Sequence, residues 1–292
     1  MRILRAAHLG MCFGVRDAIE LALREGDAAP LTVLGDLVHN DAVLARLRAR
    51  GIATAKDPAD AGTGTVMVTA HGTSERSRAR TRALGLRVVD ATCPLVTVAH
   101  RAVQALVRDG YHPVIVGQRG HVEVRGLTDD LDAFDVVLDE RDVEALAPRP
   151  RLGVAAQTTQ PMDRVRHLVA CMRRRFPEAD IRFVDTVCRP TKQRQTAAID
   201  LARQADVVIV VGGASSNNTR QLVETCSRYC ARVHHVQTEA DVLSEWLANA
   251  ETVGLTAGTS TPDDVVDRIE ARIRGLARGN TTSAPVGTEV AL

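Results

Sequence analysis

Apolar and polar positions follow one another along the chain in a plan that recurs. A short apolar run ends in a small polar turn, and a stretch with helical spacing follows. Three such units end their turn in cysteine: ILRAAHLGMC before FGVRDAIELAL, LRVVDATC before PLVTVAHRAVQAL, and IRFVDTVC before RPTKQRQTAAIDLA. Apolar runs of this length, bounded by turns, predict buried strands. Val98, Ala102, Ala105 and Leu106 have the spacing of one helix face, and Pro94 suits the first turn of that helix. About 27 residues after each cysteine comes a second strand and polar turn. LTVLGDLVHND carries His39, PVIVGQRGHVEV carries His121 and Glu123, and VVIVVGGASSNNT carries Ser215, Ser216 and Asn217. A third follows: VMVTAHGTS with His71, RLGVAAQTTQP with Thr158, and TVGLTAGTSTPDD with Ser260. Thr159 or Gln160, and Thr261, stand where helix N-caps are expected.

The plan predicts three copies of a unit with three strand–helix pairs. They span residues 1–88, 89–180 and 181–274, and a loosely ordered tail covers 275–292. Strands alternating with helices imply an α/β fold of mainly parallel sheets flanked by helices. Three such small domains fit a pseudo-threefold trefoil. Right-handed crossovers bring the polar turns of each copy to the carboxyl ends of its strands, where open α/β sheets bind ligands. If the copies face inward, one site gathers a cysteine and two polar turns from each.

Composition narrows the function. With 37 Lys and Arg against 36 Asp and Glu, the chain lacks the basic footprint of a nucleic-acid or membrane-surface binder. Aromatic residues at 2% leave no stacking platform for single strands. No apolar stretch is long enough to span a bilayer, and MRILRAAHLG lacks a signal-peptide pattern, so a cytoplasmic location is expected. A reducing compartment disfavours disulfides among the six cysteines, and no C-x-x-C pair occurs.

The repeat divides those cysteines. Cys12, Cys93 and Cys188 fall at equivalent strand-to-helix turns, where helix N-termini favour a thiolate. Three converging thiolates without a fourth suit an iron–sulfur cluster with one open iron better than a closed zinc site, although soft-metal geometry alone leaves zinc open. Cys171, Cys226 and Cys230 lie on helix faces and are expected to be structural. His39, His71, His121, Ser215, Ser216, Asn217 and Ser260 form an anion-binding set suited to phosphate or diphosphate. The same hydroxyls would serve as ordinary caps. Neither a P-loop nor a dinucleotide fingerprint occurs. Glu123 reads as a proton donor beside such a site or as an ordinary solvated glutamate, and Thr158 as a hydroxyl partner or a simple turn residue.

The segments GMCFGV, LVHN, AHG, DATCPLVT, GHVEV, QTT, DTVC, SSN and AGTSTP, in this order over residues 1 to about 274, resemble the LytB/IspH family of 4-hydroxy-3-methylbut-2-enyl diphosphate reductases. That resemblance implies a trefoil around a central 4Fe-4S cluster held by Cys12, Cys93 and Cys188. It implies a diphosphate bound by His39, His71, His121, Ser215, Ser216, Asn217 and Ser260. It also implies proton donation by Glu123, assisted by Thr158 and His121. Two electrons from ferredoxin or flavodoxin and two protons would remove the allylic hydroxyl as water, giving isopentenyl and dimethylallyl diphosphate. Departures from the family pattern lie beside these positions: Met11, Val122 in place of a proline, Arg189-Pro190 after the third cysteine, and Asn218. They leave a paralogue acting on another allylic diphosphate as an alternative, together with a non-catalytic iron–sulfur sensor and a metal-free phosphate binder.

Overall fold

A computed structural model describes residues 1–281. The elements run β1 (Arg2–Arg5), α1 (Phe13–Ala28), β2 (Leu31–Leu34), α2 (Asp41–Ala49), β3 (Ala53–Ala55), β4 (Thr65–Val68), α3 (Glu75–Ala83) and β5 (Arg87–Asp90). Then come α4 (Pro94–Arg108), β6 (His112–Val116), α5 (Val122–Thr128), β7 (Asp135–Val137), α6 (Glu140–Ala145), β8 (Arg151–Ala156), α7 (Met162–Arg175) and β9 (Asp180–Phe183). The last are α8 (Arg189–Ala202), β10 (Val207–Val211), α9 (Asn217–Ser227), β11 (Val233–Val236), β12 (Thr252–Ala257) and α10 (Asp263–Thr281).

These strands make three four-stranded sheets, ordered β3-β2-β4-β5, β7-β6-β8-β9 and β1-β12-β10-β11. Every pairing among the described strands is parallel. Read from the other edge, the third sheet is β11-β10-β12-β1, so one topology occurs three times. All nine strands expected from the apolar runs are present. Each sheet gains one more: β3, β7 or β11, three or four residues long and on an edge. The opening strand of each repeat is the outer strand of the sheet before it. β5 closes the first sheet, β9 the second, and β1 the third.

The chain forms two compact units. One comprises residues 11–195, with the first two sheets; the other joins residues 1–10 to the chain from Thr196 on. In the third sheet β10, Val-Val-Ile-Val-Val, is buried at every position, as a central parallel strand covered on both faces must be. One face packs under Val265, Val266, Ile269 and Ile273 of α10, the other under Ala198, Leu201, Leu222 and Cys226. The second sheet is covered likewise, by Val165, Leu168 and Met172 of α7 on one side and Ala99, Val103 and Leu106 of α4 on the other.

Two local expectations need correction. The buried face of α4 is Val96, Ala99, Val103 and Leu106, whereas Val98 is 54% exposed. The expected face shares Leu106 with the buried one and is rotated from it by about a quarter turn. The N-cap of α7 is Pro161 and not Thr159 or Gln160, so those polar side chains remain in the turn. Of the expected tail, residues 275–281 continue α10, and 282–292 lie outside the described residues.

Candidate functional site

Cys12, Cys93 and Cys188 each immediately precede a helix: α1, α4 and α8. Their carbonyls accept the first helical hydrogen bonds, from Arg16 N at 3.0 Å, Thr97 N at 3.1 Å and Lys192 N at 3.1 Å. The repeat thus delivers three half-buried thiols in one local geometry, at helix ends whose N–H groups lack intrahelical partners. Cys93 N donates to Ala70 O and Cys188 N to Thr158 O, both at 3.0 Å, which ties these cysteines to the neighbouring polar turns.

Close approach is built in. A Cβ added at Gly14 would sit 2.5 Å from Cys93 Sγ, so only glycine lets the start of α1 pass beside this sulfur. Burial pushes the Cys93 thiol up, against the helix-start N–H groups of Leu95 and Val96, and Cys12 and Glu123 push it further. Burial pushes Cys188 up to about 11, opposed by Thr191, whose Oγ1 lies 3.1 Å from Sγ. The Cys12 and Glu123 charges add to that rise. Thiols that resist ionisation by burial and by one another's charge need a cationic group to become ligands together. Among the described residues, the three are not a set whose ligand atoms could share one small ion. Three sulfur donors are the donor chemistry of an iron–sulfur group.

Glu123 occupies the first turn of α5 and is 1% exposed. Burial pushes its carboxyl up to about 7, although Thr158 N donates to Oε1 at 2.7 Å. It therefore holds a proton near neutral pH while Thr158 fixes its position. His121 caps α5, its Nδ1 accepting from Glu123 N at 3.1 Å.

His121 also meets His39 and His71. Ring centroids are 4.8 Å apart for His39–His71, 5.5 Å for His39–His121 and 5.6 Å for His71–His121. His39 follows β2 and precedes Asn40, whose side chain caps α2. His71 follows β4, with Nδ1 3.3 Å from Thr69 Oγ1. Burial lowers His71 well below the ordinary imidazole range, and repulsion from His39 and His121 adds to this. A buried imidazole held below its ordinary range, with two more beside it, gains from an anion that supplies counter-charge.

The other predicted residues belong to the second unit. Ser216 caps α9, its Oγ accepting from Thr219 N at 3.2 Å. Asn217 and Ser260 are buried at 5% and 4%, while Ser215 is exposed. A Cβ at Gly212 or at Gly258 would collide with Thr219 Oγ1, so the turns after β10 and β12 close on this side chain. Asn218 Nδ2 and Thr219 Oγ1 are buried there without a hydrogen-bond partner. The unmet Asn218 amide is a donor that an acceptor-rich group would satisfy. Sequence reasoning passed over Asn218 as a mere departure from pattern. It also missed Arg194, a guanidinium only 7% exposed. Burial pulls Arg194 down, while Cys12 and Cys188 favour its charge. An arginine in a helical run carries no signal that it will be buried beside two thiols.

The family model described as LytB protein matches residues 3–274. A 4-hydroxy-3-methylbut-2-enyl diphosphate reductase of Anaeromyxobacter sp. (strain Fw109-5) is 37% identical over 284 residues, covering 96% of this chain and 100% of the relative. One of Geobacter sp. (strain M21) is 38% identical over 280 residues, covering 93% and 98%. The solved E-1-hydroxy-2-methyl-but-2-enyl-4-diphosphate reductase of Plasmodium falciparum superposes with a TM-score of 0.85 at 29% identity, covering 98% of this chain and 89% of that one. A solved (E)-4-hydroxy-3-methyl-but-2-enyl diphosphate reductase, described as the terminal enzyme of the non-mevalonate pathway, gives 0.65 at 30% identity, covering 94% and 100%. A three-cysteine repeat, a parallel α/β fold and similarity over nearly the whole length agree, and the chain belongs to the LytB protein family.

Proposed function

We propose that this chain is a 4-hydroxy-3-methylbut-2-enyl diphosphate reductase. It would remove the allylic hydroxyl to give isopentenyl and dimethylallyl diphosphate, the last step of the non-mevalonate route. The observation that carries the proposal is a buried carboxyl, Glu123, protonated near neutrality and within electrostatic reach of two of the three thiols that precede helices. Relatives named as this reductase over nearly their full length support the substrate.

Cys12, Cys93 and Cys188 would hold a 4Fe-4S cluster with one open iron, which when bound supplies electrons and a Lewis acid for the hydroxyl. Every other task falls to the chain. Glu123 keeps a proton for the departing hydroxyl; with Oε1 held by Thr158 N, its second oxygen is the one to deliver it. Thr158 N holds that carboxyl at Oε1, while His121 Nδ1 accepts from the Glu123 backbone N–H and so fixes the start of α5. His39, His71 and His121 bind the diphosphate, and the depressed His71 takes up a proton as its charge arrives. Ser215, Ser216, Asn217 and Ser260 donate neutral hydrogen bonds to it, joined by Asn218. Overall the substrate takes two electrons and two protons and loses water. A small one-electron carrier, ferredoxin or flavodoxin, would deliver the electrons.

Anaerobically reconstituted protein, given dithionite, a viologen and the hydroxylated diphosphate, should form both five-carbon products. Full iron and sulfide loading without turnover would transfer the assignment to a paralogue with another allylic diphosphate.

A further inference from the structure

We propose that Glu140, His167 and Cys171 form a separate Zn²⁺-type metal site where α6 meets α7. His167 and Cys171 lie one turn apart on α7, so both project from one face. Cys171 Sγ is 3.6 Å from His167 Nε2. Glu140, the first residue of α6, reaches the same nitrogen with Oε1 at 2.5 Å. One sulfur, one imidazole nitrogen and one carboxylate oxygen thus converge within 4.8 Å of one another. This donor set suits a borderline ion such as zinc and not a hard one such as magnesium.

The spacing fits a tetrahedral ion. Zinc–sulfur and zinc–nitrogen bonds of about 2.3 and 2.05 Å imply a sulfur–nitrogen edge of about 3.5 Å, close to the separation already present. The nitrogen–oxygen edge must open by about 0.9 Å to reach its tetrahedral length. The Glu140 side chain is 61% exposed and can swing outward to do so. Water completes the fourth position from the solvent side, where His167 is also exposed at 54%.

Beneath them the sulfur is anchored. Cys171 is 8% exposed and packs into the core of the second sheet with Leu168 and Met172. Arg174 Nη2 donates to Sγ at 3.0 Å. An N–H donor on a ligating thiolate is the kind of outer contact that orients it and moderates its charge. The bound ion would clamp the short helix α6 to α7.

The test uses cluster-loaded protein, one equivalent of Zn²⁺, metal analysis after desalting, and zinc-edge X-ray absorption. The expected result is one zinc per chain with one sulfur and one nitrogen in its shell, and unchanged iron. Cys171→Ser should remove the sulfur and weaken retention at least about tenfold. Glu140→Gln and His167→Gln, at exposed positions, should also weaken it, and turnover should persist in all three. No retained zinc overturns the proposal. So does a shell of nitrogen and oxygen only that survives in Cys171→Ser, which would place the ion on the histidine trio. Zinc uptake matched by iron loss, with several sulfurs in the shell, overturns it equally.

Discussion

The polar turns of the two compact units differ in one respect that bears on mechanism. Those in residues 11–195 carry thiols, imidazoles and a carboxyl, and burial shifts Cys93, Cys188, His71 and Glu123 toward their neutral forms. Those in the other unit, around Ser216, Asn217, Asn218, Thr219 and Ser260, carry mainly hydroxyls and amides, with one imidazole, His235, whose Nε2 lies 2.7 Å from Gly212 O. On the proposed function, proton and electron chemistry fall to the unit of residues 11–195 and neutral hydrogen bonding to the other. On that same proposal, neutral donors bind an anion at every pH, whereas binding at the buried His71 depends on proton supply.

The largest expected effect tests the thiol side. Cys93→Ser should reduce bound iron and sulfide to background and abolish turnover; full iron content in that variant would refute the ligand assignment. Next, Glu123→Gln should keep the cluster but lower kcat by about 10²–10⁴-fold with little change in KM. It should also alter stability. The folded carboxyl is raised to about 7, so its neutral form is favoured on folding. Its contribution is fully present below the unfolded value of about 4.3 and lost as pH rises through about 7. Melting temperatures of the cluster-free wild type should therefore fall over that range more steeply than those of Glu123→Gln. Equal slopes would mean the carboxyl is solvated.

A smaller effect separates the two sets of turns. His71→Asn should weaken diphosphate affinity about tenfold. In the wild type, binding raises a depressed imidazole, so protons are taken up and affinity falls as pH climbs through the interval between the free and bound values. Calorimetry in buffers of different ionisation enthalpy reads this directly, and no proton uptake would break the contrast. Ser260→Ala should cost least, about a fivefold rise in KM. That ratio should stay constant across pH; a pH-dependent ratio would show that the neutral turns share in the titration.

Much of this was legible in sequence because strand, turn and helix each leave a period or a break. The cysteines at 12, 93 and 188 and the turns at 39, 71, 121, 158, 216 and 260 stood out by recurrence. What escaped depends on partners distant along the chain. Periodicity marks β5 as a strand but cannot say that it pairs with β4, or that β1 pairs with β12. The strands β3, β7 and β11 are too short for a period. Gly14 looked like an ordinary helix residue until Cys93 lay against it. Cys171 was expected to be plain core, and His167 was already visible four residues away. Only the fold adds Glu140.

The passing of one strand from each repeat to the preceding sheet has a consequence for biogenesis. β5 and β9 join sheets whose other strands have just been made, but β1 waits for β12, since Arg2–Arg5 pair with Thr252–Leu255. On the ribosome the first strand emerges with its hydrogen-bonding edges open and stays so until nearly the whole chain is synthesised. Closing so long a loop is slow, and the exposed strand is a target for mispairing in the interval. A circular permutant opened between Gly10 and Met11, with the first ten residues moved behind α10, would make that ladder local.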